Sequence, residues 1–164
     1  QRLALLRLLA NRPRVLLLDE PTANLDPANT ARAEAMITRF RESTGAAVIW
    51  ISHDLAVVSS LATRLLVMYA GRVVERGPTA QVLRHPRHPY TQGLIDSLPA
   101  TATPGTPLRQ IPGTTPALLS LPPGCPFAPR CPIAADRCHI EKPGLKQRGK
   151  TASHLSACHF PYLE

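Results

Sequence analysis

Residues 15–26 read VLLLDEPTANLD, and this stretch decides the fold. Four apolar residues run directly into two adjacent carboxylates, Asp19 and Glu20. A short, wholly apolar and β-capable run of this kind is typical of a strand buried on both faces in a parallel sheet. Because carboxylates are costly to bury, the two acids mark the point at which the strand leaves the core.

A helix and a second strand are predicted directly after this first strand. Asp26 lies where an N-cap belongs, Pro27 follows at the first helical position, and Gly45 ends the helix as its C-cap. The apolar residues between them recur at helical spacing: Ala33, Met36, Ile37 and Phe40. Residues 46–52, AAVIWIS, then form another buried strand. This order predicts two parallel strands joined by a helical βαβ crossover, and therefore an α/β fold.

A hairpin and then a change of composition divide the chain. Residues 64–77, RLLVMYAGRVVERG, have Gly71 at their middle, which predicts two antiparallel strands joined there. Only three of the 18 prolines precede residue 78, and all four cysteines follow it. We therefore expect residues 1–77 to form regular α/β structure and residues 78–164 to form a proline-rich, cysteine-containing extension dominated by loops.

The chain carries a formal net charge of +8, which alone would suit nucleic acid or another anionic surface. Its arginines are scattered, however, and no run of five or more like charges occurs. Aromatic residues make up only 4% and do not alternate with basic ones as they do on a base-stacking platform. We therefore expect a generally basic surface and no nucleic-acid partner.

Polar residues follow both predicted parallel strands at their carboxyl ends, which is where ligands bind in open α/β sheets. Asp19 and Glu20 follow the first strand, and His53 follows the second. This arrangement suits a metal-bound phosphate, because one carboxylate such as Asp19 can hold Mg²⁺ directly or through water. Glu20 could orient and polarise an attacking water, and His53 could contact the γ-phosphate. The alternative is that the acids merely end a strand and cap a turn.

The stretch QRLALLRLLANRPRVLLLDEPTANLD (residues 1–26) and the strand VIWISHD (residues 48–54) resemble the ATP-binding subunit of an ABC transporter. The resemblance covers residues 1–77, from the last residue of the LSGGQ signature through the Walker B strand and D-loop to the switch histidine. It implies the C-terminal half of a P-loop-type nucleotide-binding domain that uses ATP and Mg²⁺.

The resemblance also implies a role for individual residues. Asp19 is then the Mg²⁺-associated acid, Glu20 the catalytic base, and His53 the switch that contacts the γ-phosphate. Asp26 is the D-loop acid, which works across a dimer interface with a second ATPase subunit. Gln1 is the end of the signature motif.

The rest of the family's phosphate-binding machinery is expected before residue 1, because the P-loop, the Q-loop and the start of the signature motif do not occur in this sequence. A literal match to the P-loop pattern, GLKQRGKT at residues 144–151, is rejected because no apolar strand precedes it. We therefore expect a fragment that does not hydrolyse ATP by itself. In the D-loop, Ala23 stands where many family members have Ser, which removes one hydroxyl contact.

The sequences HPRHPYTQGLIDSLP (residues 85–99) and IPGTTPALLSLPPGCPFAPRC (residues 111–131) resemble the C-terminal extension of oligopeptide and dipeptide permease ATPases. Nickel and other small-solute importers of that group share this extension. The resemblance runs from about residue 85 to residue 159. His85 and His88 invite a metal interpretation, but the prolines beside them favour a loop with solvated histidines.

This second resemblance implies ATP hydrolysis that drives import of oligopeptides, dipeptides or a similar small solute. A dimer of ATPase subunits would dock on transmembrane permease subunits, with an extracytoplasmic solute-binding protein as an indirect partner. The location implied is peripheral, at the cytoplasmic face of the inner membrane of a prokaryote. Two other functions stay open: a non-transport ABC ATPase of DNA repair or translation, and a non-enzymatic, metal-stabilised binding module.

The four cysteines, Cys125, Cys131, Cys138 and Cys158, follow the spacing C-x5-C-x6-C-x19-C. Clustered cysteines in a cytosolic protein bind metal more often than they form disulfides. Four thiolates can hold zinc or an iron–sulfur cluster, although the paired C-x2-C knuckles usual for structural zinc are absent. Similarity to the peptide-permease group favours a [4Fe–4S] cluster, with zinc, free thiols or an oxidised pair as the alternatives.

Overall fold

The computed structural model describes residues 2–99, 105–147 and 152–163, and the chain divides into two compact units. The first unit is Gln1–Leu61 and the second is Ala62–Glu164. The division falls before the predicted hairpin rather than after it, because the hairpin pairs with strand residues near the end of the chain. As a boundary between family domains, residue 77 stays a prediction.

The first unit has the predicted strand–helix–strand order. Its described elements are α1 (Arg2–Ala10), β1 (Val15–Asp19), α2 (Pro27–Thr44), β2 (Ala47–Ile51) and α3 (Leu55–Leu61). Strands β1 and β2 pair in parallel, as predicted. The Asp26 carboxylate accepts the Asn29 N–H at 3.0 Å and caps the start of α2, and Gly45 at φ 68° ends the helix. The mixed α/β class and both predicted helix caps are therefore confirmed.

Only one face of β1 is buried within the first unit. Leu16 and Leu18 are buried and pack with Ile37 of α2, and residues of α1 lie against the same cluster. On the other face Leu17 is 65% exposed and Ile49 of β2 is 54% exposed. The prediction of strands buried on both faces is wrong for this unit, because α1 and α2 both pack against the Leu16 and Leu18 side of the two strands.

The second unit is built around an antiparallel sheet with the strand order β3-β4-β6-β5. Its described elements are β3 (Arg64–Tyr69), β4 (Arg72–Pro78), α4 (Thr79–Arg84), α5 (Pro89–Asp96), α6 (Asp136–Ile140), β5 (Lys146–Gln147), β6 (Leu155–Ser156) and short 3₁₀ helices at Leu118–Ser120 and Ala128–Arg130. Strands β3 and β4 form the predicted hairpin, with Ala70 and Gly71 of its turn at φ 47° and 72°. Among the residues described in either unit, no helix is long and apolar enough to cross a membrane.

The core of the second unit contains an aromatic cluster. Phe127 is buried, and its ring lies edge-on to those of Tyr69 and Tyr90, with centroids 5.2 and 5.4 Å away. The Arg130 guanidinium donates through Nη2 to the Ile111 carbonyl oxygen at 3.0 Å. It also donates through Nε to the next carbonyl oxygen along the chain at 2.7 Å. These contacts anchor a proline-rich loop that has little regular structure of its own.

Candidate functional site

The carboxyl ends of β1 and β2 bring Glu20 and His53 into contact. Asp19 lies opposite Ile51 in the parallel register, and the Glu20 N–H donates to the Ile51 carbonyl oxygen at 2.9 Å. His53 donates its backbone N–H to Glu20 Oε1 at 3.1 Å, and its ring Nδ1 lies 2.7 Å from the same oxygen. Two side chains separated by 33 positions in the sequence thus share one edge of the strand pair.

The contact between Glu20 and His53 is electrostatic as well as geometric. The hydrogen bond to Glu20, followed by the charge of that carboxylate, raises the pKa of His53, and Asp54 adds a smaller effect in the same direction. A raised pKa favours the imidazolium form while the carboxylate is beside it. The stabilisation from this pair is therefore complete below the ordinary histidine pKa and is lost as the pH rises through the raised value.

The turn that follows β1 is held in a strained conformation. Glu20 has φ 44° and Asn24 has φ 61°, which place both in the left-handed region that side chains other than glycine adopt infrequently. Holding a non-glycine residue there costs about 1–3 kcal/mol. No glycine in residues 19–26 signals this conformation, so the sequence did not predict it. Such strain is concentrated at binding and catalytic sites in general.

The other residues assigned to the phosphate site lie apart from this contact. Asp19 is the last residue of β1 and is exposed. Asp26 is also exposed, and the hydrogen bonds that it accepts from Asn29 lower the pKa of its carboxyl. Gln1 lies outside the described residues. The catalytic and cofactor roles of all these residues stay predictions.

The literal P-loop match at residues 144–151 contains a short strand at its third and fourth positions. Lys146 and Gln147 form β5, which pairs antiparallel with β6. A phosphate loop instead follows a buried strand and opens a helix. Residues 148–151, which include Lys150, lie outside the described residues. The geometry of residues 146–147 is thus unlike that of a phosphate loop.

The four cysteines line one small cavity in the second unit. Cys125 and Cys138 approach through their backbones, since the Cys125 N–H donates to the Cys138 carbonyl oxygen at 2.8 Å. The close approach requires glycine at position 124, where any Cβ would overlap that oxygen. Cys131 and Cys158 complete the sulfur lining, and none of the four cysteines is in a disulfide.

Burial disfavours the charged form of three of these thiols. It raises the pKa of Cys125 and Cys131, and it raises that of Cys158 to about 11. Among the described residues, no three or more Cys, His, Asp or Glu side chains are already placed to hold a metal ion. The donor chemistry of four thiols around one cavity fits zinc or an iron–sulfur cluster, but the ligand geometry is not assembled in this structure.

His88 lines the same cavity and is 1% exposed, so the expectation of a solvated loop histidine is wrong for this residue. His85, in contrast, is exposed as expected. His88 Nδ1 accepts the Tyr90 N–H at 3.1 Å and caps the start of α5. Burial lowers the pKa of His88 to about 4, which keeps the ring neutral. Its buried Nε2 atom has no hydrogen-bond partner in the described part of the chain.

A fully buried carboxylate explains why the loop that carries His88 turns inward. Glu75 Oε1 accepts the Arg87 N–H at 2.7 Å and lies 2.6 Å from His154 Nε2, while Oε2 accepts the His88 N–H at 3.0 Å. The Arg87 guanidinium also donates to the His154 carbonyl oxygen at 2.8 Å. We call these four residues the Glu75 junction. The sequence gives little indication of the Glu75 junction, because a single acid in a strand that also contains two arginines is ordinarily a solvated side chain.

Comparison with known proteins gives consistent matches. Residues 74–138 match the family described as oligopeptide/dipeptide transporter, C-terminal region. The oligopeptide transport ATP-binding protein OppD of Mycobacterium tuberculosis is 45% identical over 159 residues, which cover 96% of this chain and 26% of that protein. The dipeptide transport ATP-binding protein DppD of Escherichia coli is 39% identical over 161 residues, which cover 98% of this chain and 49% of that protein. The chain thus spans half or less of the length of these relatives.

Proposed function

We propose that the chain belongs to the oligopeptide and dipeptide group of ABC transporter ATP-binding proteins, and that it forms part of an ATPase subunit that drives peptide import. The observation that carries this proposal is the contact of Glu20 with His53 at the carboxyl edge of two parallel strands. The names of its relatives, which are transport ATP-binding proteins, support peptide import over DNA repair, translation or a purely structural module.

The chemistry follows from the placement of each side chain. Asp19, exposed at the end of β1, would hold Mg²⁺ directly or through water, and the ion would supply positive charge to the phosphate oxygens. Glu20 accepts a proton from the attacking water. Its Oε1 is engaged by His53, which leaves Oε2 to face that water. His53 contacts the γ-phosphate. Because His53 also contacts Glu20, it links the presence of the γ-phosphate to the position of the Glu20 carboxylate.

The proposed assembly has two ATPase subunits on a membrane permease. Asp26 is exposed at the N-terminus of α2, where it can face the second subunit while it caps the helix. The transmembrane permease subunits would hold the pair at the cytoplasmic face of the inner membrane. An extracytoplasmic solute-binding protein would deliver the peptide. Solute choice would rest with those partners rather than with this chain.

Peptide uptake tests this function. In the complete protein assembled with its permease, His53→Ala is expected to abolish ATP-dependent uptake of a labelled peptide into vesicles, because the side chain that reports the γ-phosphate is lost. Arg39→Ala, an exposed change on α2 in the same unit, serves as the control and should transport normally. Normal uptake by the His53 variant would contradict the proposal.

We also propose that Cys125, Cys131, Cys138 and Cys158 hold one metal centre, with a [4Fe–4S] cluster ahead of zinc. Their common cavity supports this, because it gathers four sulfur donors, the ligand set of both centres, around one space. Side-chain rotation would have to complete the ligand set around the cavity. The centre would stabilise a region with little apolar periodicity of its own.

Metal analysis tests the centre. Protein prepared without oxygen should be brown and contain iron and inorganic sulfide, whereas zinc without iron would favour the zinc alternative. Cys131→Ser should release the metal and lower the thermal midpoint, since one lost ligand loosens the whole site. A colourless, metal-free preparation with four titratable thiols, as stable as its Cys131→Ser variant, would remove the metal centre.

A further inference from the structure

We propose that His88 is the hydrogen-bond donor to the sulfur atoms of the cysteine-lined cavity: its ring Nε2 donates to one of them when they hold a metal centre, and so positions that sulfur. His88 lines the cavity together with all four cysteines. Its Nε2 is buried and has no partner among the described residues. A buried polar group of this kind is costly, and native proteins pair nearly all of them.

The hydrogen bond at the other ring nitrogen fixes which atom carries the proton. His88 Nδ1 accepts the Tyr90 N–H at 3.1 Å. In a neutral imidazole one nitrogen is a donor and the other an acceptor. Because Nδ1 is the acceptor, Nε2 carries the proton and can only donate. His88 is therefore placed as a donor to the sulfur site and not as a metal ligand, which would need a free lone pair on Nε2.

The cavity offers sulfur as the acceptor. Besides the cysteines and His88, its lining consists mainly of apolar side chains such as Phe127 and Pro143. His159 is the other lining residue with ring nitrogens, and its Nε2 already pairs with the Glu141 carbonyl oxygen at 2.9 Å. A hydrogen bond from this N–H to a sulfur that ligates a metal as thiolate would be charge-assisted.

The imidazole is held from both sides, as a positioning residue requires. The backbone N–H of His88 donates to Glu75 Oε2 at 3.0 Å, within the Glu75 junction. The Phe127 ring lies 5.8 Å from the imidazole, centroid to centroid. The donor is therefore held in place before any metal binds, and it is the cysteine side chains that would rotate to bring a sulfur within its reach.

Nitrogen NMR of the metal-free, reduced full chain tests the tautomer. The ¹⁵N shifts of His88 should show a protonated Nε2 and an unprotonated Nδ1, and the Nε2 proton should exchange slowly with solvent. A protonated Nδ1 would overturn the proposal. This measurement does not depend on the metal site proposed above.

Cobalt binding tests the effect on sulfur, and it rests on that proposed site. His88→Asn keeps an N-cap acceptor for Tyr90 but is too short to reach the cavity, and it should weaken Co²⁺ affinity by about tenfold to a hundredfold and shift the sulfur-to-cobalt absorption band. His88→Gln has a longer side chain that returns an amide N–H to the cavity. This variant should recover most of the Co²⁺ affinity and most of the original band position. His85→Asn, the same change at an exposed histidine of the same loop, should leave the band unchanged.

The outcomes separate the two proposals. If the unaltered chain binds no cobalt, the metal-site proposal fails and the nitrogen spectrum alone decides whether the His88 donor exists. If it binds cobalt and His88→Asn matches it in affinity and band position, the sulfur hydrogen bond is excluded. Equal band shifts in His88→Asn and His85→Asn would show that the shift does not come from the His88 donor and would also overturn the proposal.

Discussion

Replacing Glu20 with Gln in the complete protein is expected to leave ATP binding nearly unchanged and to lower the rate of hydrolysis by about a hundredfold or more. The amide has the shape of the carboxylate, and its oxygen can still accept the His53 N–H. It cannot accept a proton from the attacking water. Phosphate release measures the hydrolysis rate, and equilibrium titration with labelled nucleotide measures binding, so the two effects can be separated.

Glu42→Gln is the matched control for this experiment. Glu42 is exposed on α2 in the same unit, and the same chemical change there should alter neither quantity. A Glu20→Gln protein that hydrolyses ATP at a near-normal rate would remove Glu20 as the base. A protein that loses ATP binding and hydrolysis together would instead indicate that the strained turn at Glu20 is needed to form the site.

Glu75→Ala is expected to produce the largest loss of stability, about 3–5 kcal/mol in the free energy of unfolding. The substitution leaves the Arg87 and His88 backbone N–H groups and the His154 ring buried without their common acceptor. Each unsatisfied buried donor carries its own desolvation cost. Urea unfolding of the full chain, followed by circular dichroism, measures the change.

Glu141→Ala supplies the comparison for the buried carboxylate. Glu141 forms an exposed pair with Arg137, with Nε and Oε2 2.6 Å apart, and such pairs contribute little because water screens them. Loss of this ion pair in Glu141→Ala should leave the urea midpoint of unfolding nearly unchanged. Equal shifts for Glu75→Ala and Glu141→Ala would show that the Glu75 junction adds no more to stability than a surface ion pair.

The parts of the fold that the sequence predicted are those specified locally. The apolar run of β1 ends in charge, Asp26 supplies a cap for α2, and Gly45 supplies the left-handed end of that helix. Each signal lies within a few residues of the structure that it specifies. The proximity of Glu20 and His53 was also predictable, because the carboxyl ends of parallel strands meet at one edge.

The features that the sequence did not predict depend on distant contacts or on backbone strain. His88 looked solvated because its neighbours are prolines. It is buried instead, and its backbone N–H donates to the Glu75 carboxylate in β4. No residue type near Glu20, such as a glycine, indicates its positive φ in the sequence. The sequence did not predict the exposed face of β1. A wholly apolar run shows that both faces of a strand are suited to burial, but it does not show whether this chain covers both faces.

The Glu75 junction sets the order in which the second unit is completed during synthesis. The hairpin of β3 and β4 is local, but the contact of Glu75 with His154 joins residues 79 positions apart. Strand β4 also keeps one edge unpaired until β6 pairs with it. Closing so long a loop is slow compared with forming a hairpin. A nascent chain that stalls on the ribosome before residue 154 therefore exposes both a hydrated carboxylate and an open strand edge, and this edge can pair with strands of other chains.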